Sequence, residues 1–452
     1  MLTRCVRRSL VVASALAVLV VASPRGAEAP PADPDIVTHV LNRLAFGPRA
    51  DDLGRVASVG LEGWIDQQLH PERIDDNAVT ARLMPLATPP NGSDPKELRR
   101  FARQQVIVLG ANKIVRAAYS ERQLQEVLVD FWFNHFNVYA GKGRTSEYLA
   151  AYEEGVIRPH VLGRFRELLE ATAKSPAMLV YLDNWRSAAP GSDRGSGFGR
   201  RAANPKRPRG INENYGRELL ELHTLGVDGG YTQQDVVAVA RAFTGWTIDR
   251  TGQFRFAAPL HDRGDVVVLG HHIGAGGIEQ GERVLDILAR HPSTARHIAF
   301  ALAQQLVADH PPPALVDRAA ARFSATDGDL REVVRTIVTA PEFLAGAVHA
   351  AKFKTPLEFV VSAVRTTGAE VHDARPLVRA LQELGEPPFM CVPPTGYRNT
   401  AETWVSAGQL VNRMNLATRL ATGGLPTVEL PQGIRDADTL ASRLGAPAFQ
   451  RR

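Results

Sequence analysis

One predicted helix concentrates side chains that could take part in catalysis or bind a metal ion. Residues 210–227 read GINENYGRELLELHTLGV and include three glutamates, an arginine, two asparagines, a tyrosine and a histidine. At about 100° per residue, Glu213, Arg217 and Glu221 fall on one helix face, and Glu218 lies beside them. A helix with this pattern either lines a functional site or forms a ladder of ion pairs on the protein surface.

The residue types on this helix fit two interpretations. In the functional one, Glu218 or Glu221 is the acid or the metal ligand, and its partner is a histidine, His135 or His223. Arg217 then binds an anionic group of the ligand. In the structural one, the arginine pairs with glutamates four residues away on either side, which stabilises a helix by only a few tenths of a kcal/mol per pair. Spacing alone leaves both interpretations open.

A second polar group lies at the end of an aromatic helix, in the run DFWFNHFN at 130–137. Asp130 and Asn134 are four residues apart and therefore share a helix face. The aromatic residues favour a core position for this helix, but a histidine between Asn134 and Asn137 is unusual for a core. His135 is therefore a candidate site residue. The alternative is a histidine whose ring binds backbone carbonyl groups at the helix end.

Other histidines surround a predicted β-region. His261 and Asp262 occupy a loop and together offer a polar donor set, whereas His271 and His272 are adjacent in a strand and point to opposite faces. The chain contains no zinc-protease HExxH motif, EF-hand loop, nucleotide-binding glycine loop, GxSxG elbow or CxxCH haem site. The sequence thus identifies no cofactor, and it leaves open whether a metal ion is bound.

The elements that must position these residues are predominantly helical. Apolar residues recur at helical spacing over most of the chain, which predicts a mainly α fold with one large domain at 36–422. A single small β-hairpin is predicted, with strands at 253–256 and 266–269. After Gly423 the periodicity is weak, so we expect a disordered tail over 423–452.

A basic loop precedes the polar helix. Residues 186–210 are rich in glycine, serine and proline, which predicts a mobile segment that cannot bury enough apolar area to order itself. A mobile basic loop beside a polar helix could act as a lid over an acidic ligand. The alternative is a solvated insertion with no role in binding.

The N-terminus is typical of a secretory signal. Residues 1–29 combine three early arginines, an apolar run of 13 residues and the small-residue cleavage site Ala27-Glu28-Ala29. The apolar run is too short to span the roughly 30 Å of a bilayer core. We therefore expect cleavage near Ala29, a proline-rich spacer at 30–35, and a periplasmic or extracellular protein without a transmembrane span. The pair Arg7-Arg8 leaves the twin-arginine route open beside the general secretory one.

Charge and cysteine content limit the possible partners and cross-links. The full chain has a formal charge of +5, but without the predicted signal it retains 49 basic and 47 acidic side chains. This even balance argues against a nucleic acid as the partner. Cys391 is the only cysteine after the signal, so no internal disulfide forms in the mature chain, and we expect a buried structural thiol.

Eight sequence blocks together resemble one protein family. Their order and spacing over residues 36–421 are similar to the bacterial "domain of unknown function 1800" family. The blocks are HVLNRLAFG (39–47), FWFNHF (131–136), GINENYGRELLELHTLGV (210–227), DVVAVARAFTGWT (235–247), HDRG (261–264), HPSTARHIA (291–299), KFKTPLEFV (352–360) and PPTGY (393–397).

The resemblance implies an exported, largely helical protein but no particular reaction. Such proteins are often encoded beside a member of the "domain of unknown function 1501" family, which resembles sulfatases and phosphatases. Phe133 departs from the pattern, because the resemblance leads us to expect a histidine there, so metal binding through this segment is less expected. The positions that match the family's polar motifs are Asn134, His135, Asn212, Glu213, Asn214, Arg217, Glu218, Glu221, His223, Arg241, Trp246, His261 and Asp262.

The residues and the resemblance support two hypotheses about function. The first is an exported enzyme of the hydrolase type, in which a metal ion could assist. Its catalytic candidates are Glu218, Glu221, His223, Arg217 and His135, and its substrate-binding candidates are Asn134, Asn212, Glu213, Asn214, Arg241, Trp246, His261 and Asp262. The alternative is a non-catalytic binding or assembly partner of a co-exported, sulfatase-like protein of the 1501 family.

Overall fold

The computed structural model describes residues 33–87, 94–192, 210–433 and 436–452. The predicted signal at 1–29 lies outside the described residues, as does most of the predicted basic loop at 186–210. The described residues form one compact unit. No helix among them is long and apolar enough to cross a membrane.

Helices build most of the described chain, which confirms the predicted mainly α class. Before the first strand they are α1 Pro34–Leu44, α2 Asp52–Val59, α3 Leu61–Leu69, α4 Asn77–Thr80, α5 Pro95–Tyr119, α6 Gln123–His135, α7 Leu149–Tyr152, α8 Phe165–Lys174, α9 Pro176–Tyr181, α10 Glu213–Leu220 and α11 Gln233–Ala242. After the hairpin region they are α12 Ile278–Ala289, α13 Pro292–Leu306, α14 Pro313–Ala325, α15 Leu330–Val338, α16 Pro341–Leu344, α17 Pro356–Thr367, α18 Arg375–Glu383, α19 Ala401–Trp404, α20 Ala407–Ala421 and α21 Ala437–Gly445.

Local capping fixes where several of these helices begin. Helix α11 begins after Thr232, whose side chain accepts from the backbone N–H of Asp235 while the Asp235 carboxylate accepts in return. Helix α17 begins with the same reciprocal pair, formed by Thr355 and Glu358. Each box satisfies backbone N–H groups that have no partner inside the helix. The positions where α11 and α17 begin, near Thr232 and Thr355, could be predicted because a capping box is a local sequence signal.

Helix α6 lies in the middle of the core. Its residues Leu124, Leu128 and Trp132 are fully buried, and it packs against α1, α3 and α5. Helix α17 contacts α5 and α18, so the long helix α5 contacts both α6 and α17. This packing holds the C-terminal end of α6 and the N-terminal end of α17 in fixed positions, and both ends contribute to the site described below.

The β-structure differs from the expected single hairpin. The predicted strands at 253–256 and 266–269 do not pair with each other, because each joins a strand nearer in sequence. The described sheets are all antiparallel pairs: β1 Trp246–Ile248 with β2 Phe254–Phe256, β3 Val266–Val268 with β4 His271–Ile273, and β5 Glu370–Val371 with β6 Val428–Glu429.

Turn geometry explains the two hairpins. Between β3 and β4, Leu269 and Gly270 both have positive φ, 51° and 78°, which suits a two-residue hairpin turn. Between β1 and β2, the side chain of Asp249 accepts from the backbone N–H groups of Thr251 and Gln253. The loop with His261 and Asp262 therefore connects two hairpins and is not the tip of one.

The described residues of the C-terminal segment, 423–433 and 436–452, include a helix and pack against the rest of the chain, in contrast to the disordered tail expected over 423–452. Helix α21 packs against α20, and residues 450–452 pair with the backbone at 352–354. The N–H of Lys354 donates to Gln450 O at 2.8 Å, and the N–H of Arg452 donates to Lys352 O at 2.8 Å. The order comes from this distant backbone partner, which sequence periodicity does not reveal.

Candidate functional site

Two asparagines at the end of α6 hold the loop at 391–397 in place. Asn134 donates from Nδ2 to Tyr397 O at 2.7 Å, and its Oδ1 accepts from Tyr397 N at 2.7 Å. Asn137 donates to the carbonyl oxygens of Cys391 and Pro393. The NHFN run therefore binds the loop by backbone hydrogen bonds on both sides of His135, and this loop becomes one wall of a cavity.

Gly396 is required for this contact. Its φ is +68°, and a Cβ there would lie 2.4 Å from both the backbone oxygen and the Oδ1 of Asn134. We expect Gly396→Ala to lower the free energy of unfolding by about 3 kcal/mol, from left-handed backbone strain and the lost asparagine hydrogen bonds. Gly230→Ala is the matched control, because Gly230 has a φ of +86° and open space around it. Urea unfolding measures both, and equal losses would contradict the proposed contact.

A polar cavity of about 450 Å³ lies beside this loop. Its walls come from the C-terminal ends of α6 and α13, the start of α17, and the segment between α18 and α19. Phe131 and Tyr397 supply aromatic surface. The polar side chains that line it are Asp130, Asn134, His135, Gln304, Gln305, Thr355, Glu358, Glu386, Thr395, Arg398, Asn399, Thr400 and Glu402.

Glu386 is the most unusual acid in this cavity. It is 9% exposed, and its Oε2 accepts from the backbone N–H of Leu357 at 2.7 Å. Burial raises the pKa of Glu386 to about 8, and the neighbouring carboxylates of Asp130 and Glu358 act in the same direction. Hydrogen bonds from Leu357 and Thr355 oppose this shift without cancelling it. Glu386 is therefore protonated at neutral pH and can donate a proton.

Asp130 lines the same cavity as a charged partner. Its Oδ1 lies 2.8 Å from Nζ of Lys113, which is itself buried and also lies 3.8 Å from Glu153 Oε2. Burial lowers the pKa of Lys113, but the carboxylates of Asp130 and Glu153 outweigh that effect and leave the pKa raised. The Lys113 ammonium group is thus a close countercharge for the Asp130 side chain. One cavity therefore holds two carboxyl groups in different environments, one buried with a raised pKa and one paired with an ammonium group, as an acid and a base require.

His135 contributes a neutral imidazole to the cavity wall. Its Nε2 lies 3.2 Å from the carbonyl oxygen of His223, so Nε2 donates and Nδ1 carries the lone pair. Burial lowers the pKa of His135 well below its usual value, and the nearby His297 and His223 rings add to this effect. His135 is therefore a hydrogen-bond acceptor at neutral pH.

A family model described as "Protein of unknown function (DUF1800)" matches residues 39–452. The chain belongs to this family. The match confirms the resemblance and extends it through the ordered C-terminal segment. Comparisons with curated proteins and with solved structures give no match.

Three of the DUF1800 blocks meet at the cavity. FWFNHF supplies Asn134 and His135, KFKTPLEFV supplies Thr355 and Glu358, and PPTGY supplies part of the loop wall. The block HPSTARHIA contributes His297, whose ring centroid lies 5.9 Å from that of His135. Blocks that are far apart in the sequence therefore build one local site.

The polar helix of the DUF1800 chain lies next to the cavity without lining it. Helix α10 continues into a π-helical turn at Glu221–Leu225, a feature often found near functional sites. His223 is 3% exposed, its Nε2 has no hydrogen-bond partner among the described residues, and burial lowers its pKa to about 3. Burial raises the pKa of Glu218, and Glu221 accepts from the hydroxyl of Tyr231 at 2.9 Å. Of these residues, His223 contacts the cavity wall, through its carbonyl oxygen.

The exposed face of the polar helix forms a surface network. Arg217 donates to Gln233 Oε1 at 2.7 Å, and Gln233 Nε2 donates to Glu213 Oε2 at 2.8 Å. The arginine is therefore bridged to the glutamate through a glutamine on α11, in place of a direct ladder. Asn214 is exposed, whereas Asn212 caps α10 by accepting from Tyr215 N at 3.1 Å.

The candidates near the hairpins form a separate cluster that does not line the cavity. Arg241 makes a bidentate ion pair with Asp262, at 2.8 and 3.2 Å. The ring of His261 is buried, with its nitrogens 2.8 Å from Thr244 O and 3.0 Å from Gln280 Oε1. The side chain of Trp246 is fully buried in the core. These contacts join α11, α12 and the hairpin loop.

No described group of three or more histidine, cysteine, aspartate or glutamate side chains is arranged to hold a metal ion. Phe133, where the resemblance led us to expect a histidine, packs edge-on against Tyr152 and Phe389 at 5.6 and 4.9 Å. Its ring also lies beside the Lys113 ammonium group. This position in the DUF1800 chain faces the core.

Sequence reasoning missed several residues of the cavity, above all Glu386, Glu358, Gln305, Arg398 and Asn399. Glu358 belongs to a block that supported the resemblance, so it carried a signal. Glu386 and Asn399 lie outside those blocks. No motif or periodicity marks them, and only the tertiary structure brings them to the cavity.

Proposed function

We propose that this DUF1800 protein is an exported enzyme that hydrolyses a small polar substrate in the cavity between α6, α13 and α17. Glu386 acts as the general acid and Asp130 as the general base. The observation that carries this proposal is that one polar cavity holds both Glu386, a buried carboxyl group whose pKa is raised by burial, and Asp130, a carboxyl group that pairs with the ammonium group of Lys113. Glu386 replaces Glu218 and Glu221 as the proposed acid, because neither of those lines the cavity.

The environments of the two carboxyl groups suit hydrolysis. The leaving group needs a proton as its bond breaks, and a general acid is most effective when its pKa is near the operating pH. The pKa of Glu386, raised by burial to about 8, meets that condition. Asp130, whose Oδ1 lies 2.8 Å from Lys113 Nζ, removes the proton of the attacking water. His135 accepts a hydrogen bond from the substrate and orients it.

The proposed location is outside the cytoplasm. Support comes from the arginines, the apolar run and the small-residue cleavage site of residues 1–29. A hydrolase in that compartment acts without ATP or a reducing cofactor. The proposed reaction, which needs only water and two carboxyl groups, suits such a location.

Turnover tests the proposal directly. Purified protein is assayed against chromogenic esters, phosphates, sulfates, amides and glycosides, and the best substrate is compared between variants. We expect Glu386→Gln to lower kcat by about 10²–10⁴-fold, the usual contribution of a general acid. Glu383→Gln is the matched control, because Glu383 lies three residues away on the surface and pairs with Arg419. Full activity of Glu386→Gln on every substrate would contradict the proposal.

A non-catalytic role is the second candidate. Exposed Ile107 and Met390 border a groove of about 440 Å³ that Tyr139, Pro387 and Pro388 also line. Exposed apolar surface of this kind often marks a contact with another protein. In this case the protein is an assembly partner of a co-exported, sulfatase-like protein of the 1501 family. Co-purification separates the two roles, since failure to associate at micromolar concentration would count against the second.

A further inference from the structure

We infer that the cavity takes a neutral, polyhydroxylated ligand, a sugar ring of a glycan, and that the bond hydrolysed is glycosidic. This inference rests on the proposed function and adds its substrate class. It is carried by the pairing of the charges in the cavity wall, by the hydrogen-bonding groups that remain free there, and by the aromatic surface beside them.

The charges in the cavity wall are compensated. Asp130 pairs with Lys113 at 2.8 Å, and Glu358 pairs with the buried Arg452 at 2.7 Å. Burial raises the pKa of Glu386 to about 8, which favours its uncharged form at neutral pH. The two remaining charged side chains that line the cavity, Arg398 and Glu402, have opposite signs. A site for phosphate or sulfate would present excess positive charge, and a site for an amine would present excess negative charge. This wall presents neither and favours an uncharged ligand.

The free polar groups require a ligand that both donates and accepts hydrogen bonds. Asn399 donates from Nδ2 to Gln305, but its Oδ1 is buried and has no partner among the described residues. Nδ1 of His135 is also an acceptor, whereas the protonated Glu386 is a donor. A hydroxyl group can donate and accept at once, whereas a phosphate dianion only accepts and an ammonium group only donates. A ring that carries several hydroxyl groups can therefore bind both to the acceptors and to the donor of the cavity wall.

Aromatic surface completes the match. Phe131 and Tyr397 are partly exposed and line the cavity beside the polar groups. Phe131 stacks on His135, with ring centroids 6.2 Å apart. The hydroxyl of Tyr397 donates a hydrogen bond to Pro387 O at 3.0 Å. Both rings therefore offer apolar faces. A sugar ring has an apolar C–H face together with polar edges, so it can use both kinds of surface.

The reaction balances with groups that are present in the cavity. The glycosidic C–O bond breaks, and the proton of Glu386 goes to the leaving oxygen. The oxygen of a water molecule bonds to the anomeric carbon, and the proton of that water goes to Asp130. After product release, Asp130 gives up the proton it took and Glu386 regains the proton it donated, both by exchange with solvent. No oxidant, reductant or additional reactant is needed.

Binding to a catalytically impaired variant tests the ligand class separately from the chemistry. Glu386→Gln is titrated by calorimetry with cellobiose, chitobiose, xylobiose and maltose, and in parallel with inorganic phosphate and putrescine. We expect at least one disaccharide to bind with a Kd of about 1 mM or tighter. Adding Asn399→Leu should weaken that binding by about tenfold, the effect of one lost hydrogen bond in a buried site. His135→Leu serves as a second variant if Asn399→Leu does not fold.

The outcomes distinguish the inference from the proposed function. If no disaccharide binds, but an ester or amide is hydrolysed in a Glu386-dependent way, the sugar inference is overturned and the proposed function stands. Binding of phosphate or putrescine that Asn399→Leu weakens would also overturn the inference. Glu386-independent turnover of a glycoside would overturn the proposed function while leaving the ligand class in place.

Discussion

Replacing Arg365 with alanine is expected to lower the free energy of unfolding by about 3–5 kcal/mol, because the change removes the buried guanidinium group that pairs with the buried Asp52 carboxylate. Arg365 is 2% exposed and lies inside the protein on α17. Its Nε donates to Gly47 O at 2.7 Å, its Nη1 to Ala118 O at 2.9 Å, and its Nη2 to Asp52 Oδ2 at 2.9 Å. One side chain thus joins three separate segments of the chain.

The largest part of the loss comes from Asp52. Burial raises the pKa of Asp52, but Arg365, the backbone N–H of Arg49 and the side chain of Arg55 outweigh that effect and leave the pKa below its usual value. Without Arg365, the buried carboxylate keeps its desolvation cost and loses its closest buried countercharge. An acid with a lowered pKa stabilises the fold above its usual pKa and loses this contribution as the pH falls. The effect of Arg365→Ala should therefore be largest near neutral pH and smaller in acid.

Urea unfolding followed by circular dichroism measures this effect at neutral and acidic pH. Arg375→Ala is the control, because Arg375 also pairs with an aspartate, Asp373, but lies on the surface. Ion pairs of that kind contribute little to stability. A shift of the urea midpoint in Arg365→Ala as small as that in Arg375→Ala would show that the buried network does not stabilise the protein.

The helices could be predicted because their signals are local. The capping box at Thr232 and Asp235 and the one at Thr355 and Glu358 each lie within four residues of sequence. The hairpins were harder, because the turn at Leu269 and Gly270 places a leucine at a φ of +51°, where glycine or asparagine is usual. Sequence reasoning therefore paired the wrong strands within the correct region.

Distant partners explain the other differences in the fold. The segment after Gly423 has little periodicity, but its end pairs with the backbone at 352–354. Arg413, fully buried on α20, binds both Lys354 O and Gln450 Oε1. Such contacts depend on positions far apart in the sequence. Amphipathic periodicity reports only the face that a helix buries and not its partner.

In the candidate site, too, some residues could be predicted from the local sequence and others could not. Asn134 and His135 could be singled out, because a histidine between asparagines at the end of an aromatic helix is unusual. Glu386 could not, because a single glutamate between Gly385 and Pro387 resembles any loop residue. Its chemistry arises from burial and from neighbouring carboxylates on other segments. The polar helix attracted attention by its composition, yet it places Glu213, Arg217 and Asn214 at the surface.

Glu386→Gln is expected to remove the part of the pH dependence of stability that comes from the ionisation of Glu386. Burial raises the pKa of Glu386 from an ordinary 4.5 to about 8 in the folded protein. Below the ordinary value, the group is protonated in both folded and unfolded chains. Between the two values only the folded chain keeps the proton, so the wild type loses about 1.4 kcal/mol of stability for each pH unit. Above the folded value the loss is constant.

Glutamine does not titrate, so the unfolding free energy of the variant does not decrease with rising pH for this reason. It can still accept the hydrogen bond from Leu357 N with its amide oxygen. We therefore expect the variant to gain several kcal/mol of stability relative to the wild type as the pH rises from about 4.5 to about 8. Urea unfolding at half-unit pH steps measures the difference. Glu383→Gln, a surface change nearby, should give a curve parallel to that of the wild type.

This measurement needs no substrate and therefore tests the site independently of turnover. A gain in stability together with a loss of activity in Glu386→Gln would mean that the wild-type protein is less stable than the variant because it holds a titratable acid in a buried position. That combination is typical of catalytic groups, whose environment serves the reaction at a cost to stability. Parallel curves for Glu386→Gln and the wild type would show that Glu386 ionises normally. In that case Glu386 is ionised at neutral pH and cannot act as the general acid, so another residue of the cavity would have to fill that role.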